Sequence, residues 1–127
     1  MKIRLSYVSN SSNSSFIIGI GVLKEGADYQ LLDIIKECDP YYDYEIVYGE
    51  DKTISIKSFT ESEVKLTLEK GKKAIIFRDS AEVEENEYGE IISDPDLSDF
   101  GSTNKIIFNH EDLFEKIDYD IGQGYDG

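Results

Sequence analysis

The chain has 127 residues, 39% of them hydrophobic and 31% charged, with a formal net charge of −14. This is the composition of one globular domain, long enough to bury roughly two-thirds of its unfolded surface without a metal or a disulfide. The charge disfavours direct contact with nucleic acid, whose phosphates require cations, and with anionic membranes, and no apolar run approaches the roughly 20 residues that span a bilayer.

Lys2 to Val8 alternates Ile3, Leu5 and Tyr7 with Arg4 and Ser6, the period of a half-buried strand. The polar run Ser9 to Ser15 suits a turn. Phe16 to Leu23 is apolar and predicts a buried strand that pairs with the first as a hairpin. Asp28 is a candidate N-cap, and Leu31, Leu32, Ile35 and Cys38 recur at helical spacing until Asp39-Pro40 stops the helix. Tyr44 to Tyr48, Ile54 to Ile56, Val64 to Leu68 and Ala74 to Phe77 then predict an antiparallel meander with one wet face, turning at Gly49 and at Lys70-Gly71-Lys72. An acidic loop is expected at about 79–101, then a late strand at Lys105 to Phe108. A short helix capped by Asn109 would follow, with Leu113, Phe114 and Ile117 towards the core. Residues 118–127, with Gly122, Gly124 and Gly127, are expected to form a flexible acidic tail, leaving 1–117 as one domain. The expected fold class is α+β, with a mostly antiparallel sheet (hairpin plus meander) and two helices packed on one face.

Charge is divided steeply along the chain. From Asp79 to Gly127 there are fifteen acidic and two basic residues, a net of −13. From Met1 to Arg78 there are twelve acidic and eleven basic, a net of −1. Such asymmetry costs self-repulsion, and it points to a surface that meets something positive.

Few residues suggest chemistry. His110 is the only histidine, and no nucleophile-elbow pattern accompanies it. Gly19, Gly21 and Gly26 lack the G-x-G-x-x-G spacing of a dinucleotide site. Asp94, Asp96 and Asp99 fail the calcium-loop pattern, since counting from Asp94 the sixth position is Asp99 and the twelfth Lys105. Asp118 and Asp120 before Gly122 are likewise incomplete. No cofactor and no metal are expected, and the balance is against an enzyme. Cys38 stands alone and is expected to be a small core residue. With no continuous apolar stretch before Ser9, a signal peptide is not expected, which fits a reducing cytoplasm.

Two features favour a protein partner. Asp39 to Asp51 interleaves Tyr41, Tyr42, Tyr44 and Tyr48 with Asp39, Asp43, Glu45, Glu50 and Asp51. Tyrosines supply large contact area at low entropic cost. The acidic loop contributes Glu82, Glu84, Glu85, Glu87, Asp94, Asp96 and Asp99. The candidate partner-binding residues are these seven carboxylates, with Tyr41, Tyr42 and Tyr44 as anchors, and the expected partner is the basic surface of a bacterial protein.

Val8-Ser9-Asn10-Ser11-Ser12-Asn13-Ser14-Ser15-Phe16 resembles an N-terminal V-S-N-S-S-S-S-S-F stretch of small uncharacterised bacteriophage proteins, with Asn13 departing from it. The resemblance implies a viral accessory protein acting in the bacterial cytoplasm and carries no functional residues with it. Small acidic phage proteins of this kind resemble inhibitors of host or defence machinery, here one that blocks a nucleic-acid-binding surface. The alternatives are a virion or assembly component that self-associates and a carboxylate-based divalent-metal-binding module.

Overall fold

The computed structural model describes residues 14–57, 62–82, 87–88 and 96–123. The expected first strand, Lys2 to Val8, lies outside them, as does most of the Ser/Asn run. The fold is α+β and mostly antiparallel. Its centre is a four-stranded sheet made of β1 (Ser14–Leu23), β2 (Asp43–Tyr48), β5 (Lys73–Glu82) and β6 (Phe114–Gln123). Their order is β2-β5-β1-β6, with every neighbour antiparallel.

The two central strands are apolar in continuous runs because both of their faces are covered. On one face Ile17, Leu23, Ile75 and Phe77 meet α1 (Ala27–Cys38), α2 (Gly101–Ile106) and a 3-10 segment at Phe108–Leu113. On the other, Ile18, Ile20, Val22 and Ile76 meet Ile56, Val64, Leu66 and Leu68 of β3 (Lys52–Lys57) and β4 (Glu63–Leu68). Each large aliphatic side chain buried this way contributes about 1.5–3 kcal/mol.

The expected meander is thereby divided. β2 pairs directly with β5, while β3 and β4 pair with each other in a separate two-stranded sheet. The hairpin leaves the large sheet because the second face of β1 and β5 needs an apolar cover, and the alternating side of β4 supplies it.

Helix α1 starts two residues earlier than an N-cap at Asp28 implies. Its N-cap is Gly26, at φ 79°, a conformation that glycine adopts without steric cost. Leu31 and Ile35 are buried, but Cys38 is exposed, contrary to its expected place in the core. It sits in the last turn, beyond the packed part of the helix, where the chain turns away at Asp39-Pro40.

The C-terminal third departs most from expectation. Lys105 to Phe108 is not a strand, because α2 ends at Ile106 and 3-10 structure begins at Phe108. Asn109 caps no further helix. Phe114–Gln123 is instead the edge strand β6, so residues 118–123 are part of the sheet rather than of a flexible tail, and 124–127 lie outside the described residues. Leu113 and Phe114 are buried and Ile117 packs on the same core, as expected, but Leu113 does so from the 3-10 segment and Phe114 and Ile117 from a strand.

The glycines of β1 have a packing reason. A Cβ on Gly19 would lie 2.3 Å from Phe77 Cζ, and one on Gly21 would lie 2.6 Å from Phe114 Cε1. The G-x-G spacing therefore leaves two adjacent hollows for aromatic rings on the helix-covered face.

Candidate functional site

Strand β2 forms one end of the large sheet, and among the described residues it pairs on one side only, with β5. Its register with β5 is unbroken, from Asp43 opposite Arg78 to Tyr48 opposite Lys73. Alternation then sorts its side chains. Tyr44 and Ile46 lie half-buried against the helix-side core, with Tyr48 on the same face, 67% exposed. Asp43 and Glu45 are exposed on the hairpin side, followed by half-buried Val47. Tyr41, just before the strand, is 94% exposed, and Glu50 and Asp51, just after it, are exposed too. Asp39 to Asp51 thus forms one anionic edge with five carboxylates and no cation of its own. The nearest cations on the adjoining strand are Arg78 and Lys73, one strand further in.

Tyr42 is the exception within this block. It is only 6% exposed, so it does not act as a surface anchor as the sequence suggested. Its hydroxyl lies 2.6 Å from Thr103 Oγ1. The Thr103 hydroxyl donates to Asp79 Oδ2 at 2.8 Å, so Tyr42 is the donor to Thr103. The result is a directed chain from phenol to hydroxyl to carboxylate. Burial pushes the Tyr42 phenol well above the usual tyrosine range, and the charges of Asp79, Asp39 and Asp43 add to it.

The same carboxylates organise α2. No side chain caps this helix from its own N-cap, Phe100. Asp79 accepts the Thr103 N–H at 3.0 Å, and Asp39 Oδ2 accepts the Ser102 hydroxyl at 2.9 Å. Negative charge at a helix N-terminus is stabilising, so a six-residue segment of modest helix propensity is held by two remote aspartates. Asp39 Oδ1 also accepts the Tyr41 N–H, which fixes the approach to β2. An open cleft of about 360 Å³ lies here, lined by Phe16, Asp39, Tyr41, Asp43, Arg78 and Ser80 among others.

Of the seven carboxylates expected from the acidic loop, Glu82, Glu87, Asp96 and Asp99 lie among the described residues. Glu82 closes β5 opposite Ser14. Glu84, Glu85 and Asp94 lie outside the described residues, and Glu87 is exposed. Asp96 and Asp99 are exposed but form a reciprocal capping box around a 3-10 turn at Leu97–Asp99. Bonds from the Ser98 hydroxyl and N–H hold the Asp96 carboxyl below its usual range. The structure brings together Tyr41 and Tyr44 with Asp43 and Glu45, which belong to the block already visible in the sequence.

Other candidates are accounted for elsewhere. Lys24, Lys70, Lys72 and Lys73 line a second opening at the start of α1, where Lys73 pairs with Asp28 at 3.0 Å and Lys72 with Glu115 at 2.7 Å. Asp118 pairs with Lys116, and Asp120 accepts the Glu63 N–H, which ties β6 to the hairpin. Among the described residues no group of three or more His, Cys, Asp or Glu side chains is placed to hold a metal ion, and no helix is long and apolar enough to cross a membrane.

Comparison of this chain with protein-family models, with curated proteins and with solved structures finds no match.

Proposed function

We propose that this chain is a non-enzymatic interaction protein that docks its anionic face on a positively charged surface of a bacterial protein. In this reading it is a bacteriophage inhibitor that occupies a host or defence protein's nucleic-acid-binding site. The observation that carries the reading is the β2 edge, where exposed Tyr41 and Tyr48 stand in a block of five carboxylates, Asp39 to Asp51, with no cation among them. Carboxylates on a rigid strand offer a row of anionic acceptors, as phosphates do, and aromatic side chains beside them supply contact area. Complementary charge raises the association rate and rejects acidic partners. The acidic second half of the chain, net −13 from Asp79 onward, extends the same field.

The test is capture from bacterial lysate by the tagged protein, with washes of rising salt. The expected result is one host protein that salt releases and whose nucleic-acid binding this chain blocks. Asp43→Lys combined with Glu45→Lys should abolish capture while the melting temperature stays within the small range of surface substitutions. Capture that is unmoved by salt and by the double charge reversal would refute the electrostatic reading.

A further inference from the structure

Four strands have a side that no described strand pairs: β2 and β6 at the ends of the large sheet, and β3 and β4 in the small one. Unpaired edges invite adventitious pairing, and lysines and bulges are common defences. Three of the four carry them. β3 begins with Lys52 and ends with Lys57, and β4 has Lys65 at its centre. β6 has Lys116, and its register with β1 shifts between Val22 and Leu23. β2 has none of these: it contains no lysine, arginine, proline or glycine, and its register is unbroken.

What β2 carries instead is charge of one sign. A second copy laid along the strand would set Asp43 and Glu45 against carboxylates, which is destabilising. A basic strand would find attraction there. We propose that the open side of β2 takes up an extended segment of the partner as an added strand, and that this segment alternates basic and apolar residues. The alternation follows from the register. Residues beside Asp43 and Glu45 would face the hairpin side and favour lysine or arginine. Residues beside Tyr44, Ile46 and Tyr48 would face the helix side and favour apolar or aromatic side chains. The outward N–H and C=O groups of alternate β2 residues would supply the main-chain bonds, which is the usual mode of strand addition to a sheet edge. This inference rests on the proposed basic partner and specifies how it is held.

The probe is a short peptide alternating lysine and valine, titrated into the isotopically labelled full chain. Its control is the same peptide methylated at alternate backbone nitrogens, which keeps the charge and removes the main-chain donors. The expected result is roughly thirtyfold to hundredfold tighter binding of the unmodified peptide, as the loss of two or three main-chain hydrogen bonds implies. The outward amides of β2 should also gain protection from hydrogen exchange. Equal affinity for the two peptides would overturn strand addition and leave the electrostatic reading standing. Binding of neither at low salt would overturn both the strand addition and the assignment of basic recognition to this edge. Sedimentation of the chain alone as a dimer that Asp43→Lys with Glu45→Lys dissociates would assign the edge to a second copy and overturn the inference. The peptide comparison uses the unaltered protein, so it stands even if that variant fails to fold.

Discussion

Replacing Thr103 with valine keeps the branched shape and removes one hydroxyl from the middle of a directed chain. Two losses follow. The bond from Thr103 Oγ1 to the Asp79 carboxylate, 2.8 Å long, disappears; a bond to a charged group contributes about 2 kcal/mol. The Tyr42 hydroxyl, in a residue only 6% exposed, also loses its acceptor, which costs roughly 1–2 kcal/mol more. Thr103→Val should therefore destabilise by roughly 3–4 kcal/mol. Tyr42→Phe in the native background removes one neutral hydrogen bond and leaves Thr103 still donating to Asp79, so it should cost about 1 kcal/mol. The double variant loses both bonds but strands no phenol; replacing both partners of the neutral bond by apolar groups of similar shape is nearly neutral, so the total stays at about 2 kcal/mol. Tyr42→Phe is thus expected to destabilise the native protein and to stabilise the Thr103→Val protein. Urea denaturation reads both, with the midpoint moving and the slope constant. If Tyr42→Phe changes stability equally in the two backgrounds, within about 0.5 kcal/mol, the three groups are not a coupled chain and the assigned bond direction is wrong.

Gly19→Ala should lower stability by about 1–3 kcal/mol in the same assay, because the new methyl would lie 2.3 Å from the fully buried Phe77 ring; an unchanged midpoint would mean that the ring is not seated on the glycine. The raised Tyr42 pKa favours the protonated phenol in the folded state. Its contribution is therefore complete below the ordinary tyrosine pKa of about 10 and is lost as pH rises above it. The stability difference between the native protein and Tyr42→Phe should shrink above that pH, and a constant difference would contradict the burial. Asp28 is held below its usual pKa, first by the hydrogen bond from Lys73. Its contribution is present above about pH 4 and is lost as pH falls through the depressed value. Any advantage of the native protein over Asp28→Asn should vanish in acid, and one that persists at pH 2 would place the effect elsewhere.

The elements legible in the sequence are those whose pattern is set locally. β1 and β5 show as apolar runs, β3 and β4 as alternation, and α1 as helical spacing closed by Asp39-Pro40. What was not legible depends on partners far along the chain. The Gly-Ser-Thr-Asn-Lys-Ile segment of α2 has little helical preference, and its caps come from Asp79 and Asp39, on other elements. β6 did carry a signal, since Ile117, Tyr119 and Ile121 alternate with Lys116, Asp118 and Asp120. But Leu113, Phe114 and Ile117 also fit a helical face, and short apolar patterns do not separate the two. The tyrosine and aspartate block was visible as a candidate surface. That Tyr42 points inward was not, because its partner Thr103 lies 61 residues away.

The position of β1 also bears on how the molecule is made. It is the first strand described from the N-terminus, yet its partners are Lys73–Glu82 and Phe114–Gln123. A chain emerging from the ribosome would carry the apolar stretch Phe16–Leu23 without a neighbour until more than half of the sequence had been translated. Pairings of such long sequence separation are slow to form, and exposed apolar strands are prone to aggregate in the interval. Helix α1, whose contacts begin locally, can form during that wait and lay Leu31 and Ile35 against the strand's helix-side face. Overproduction should then depend on chaperone supply and on growth temperature more than the final stability of the protein would suggest.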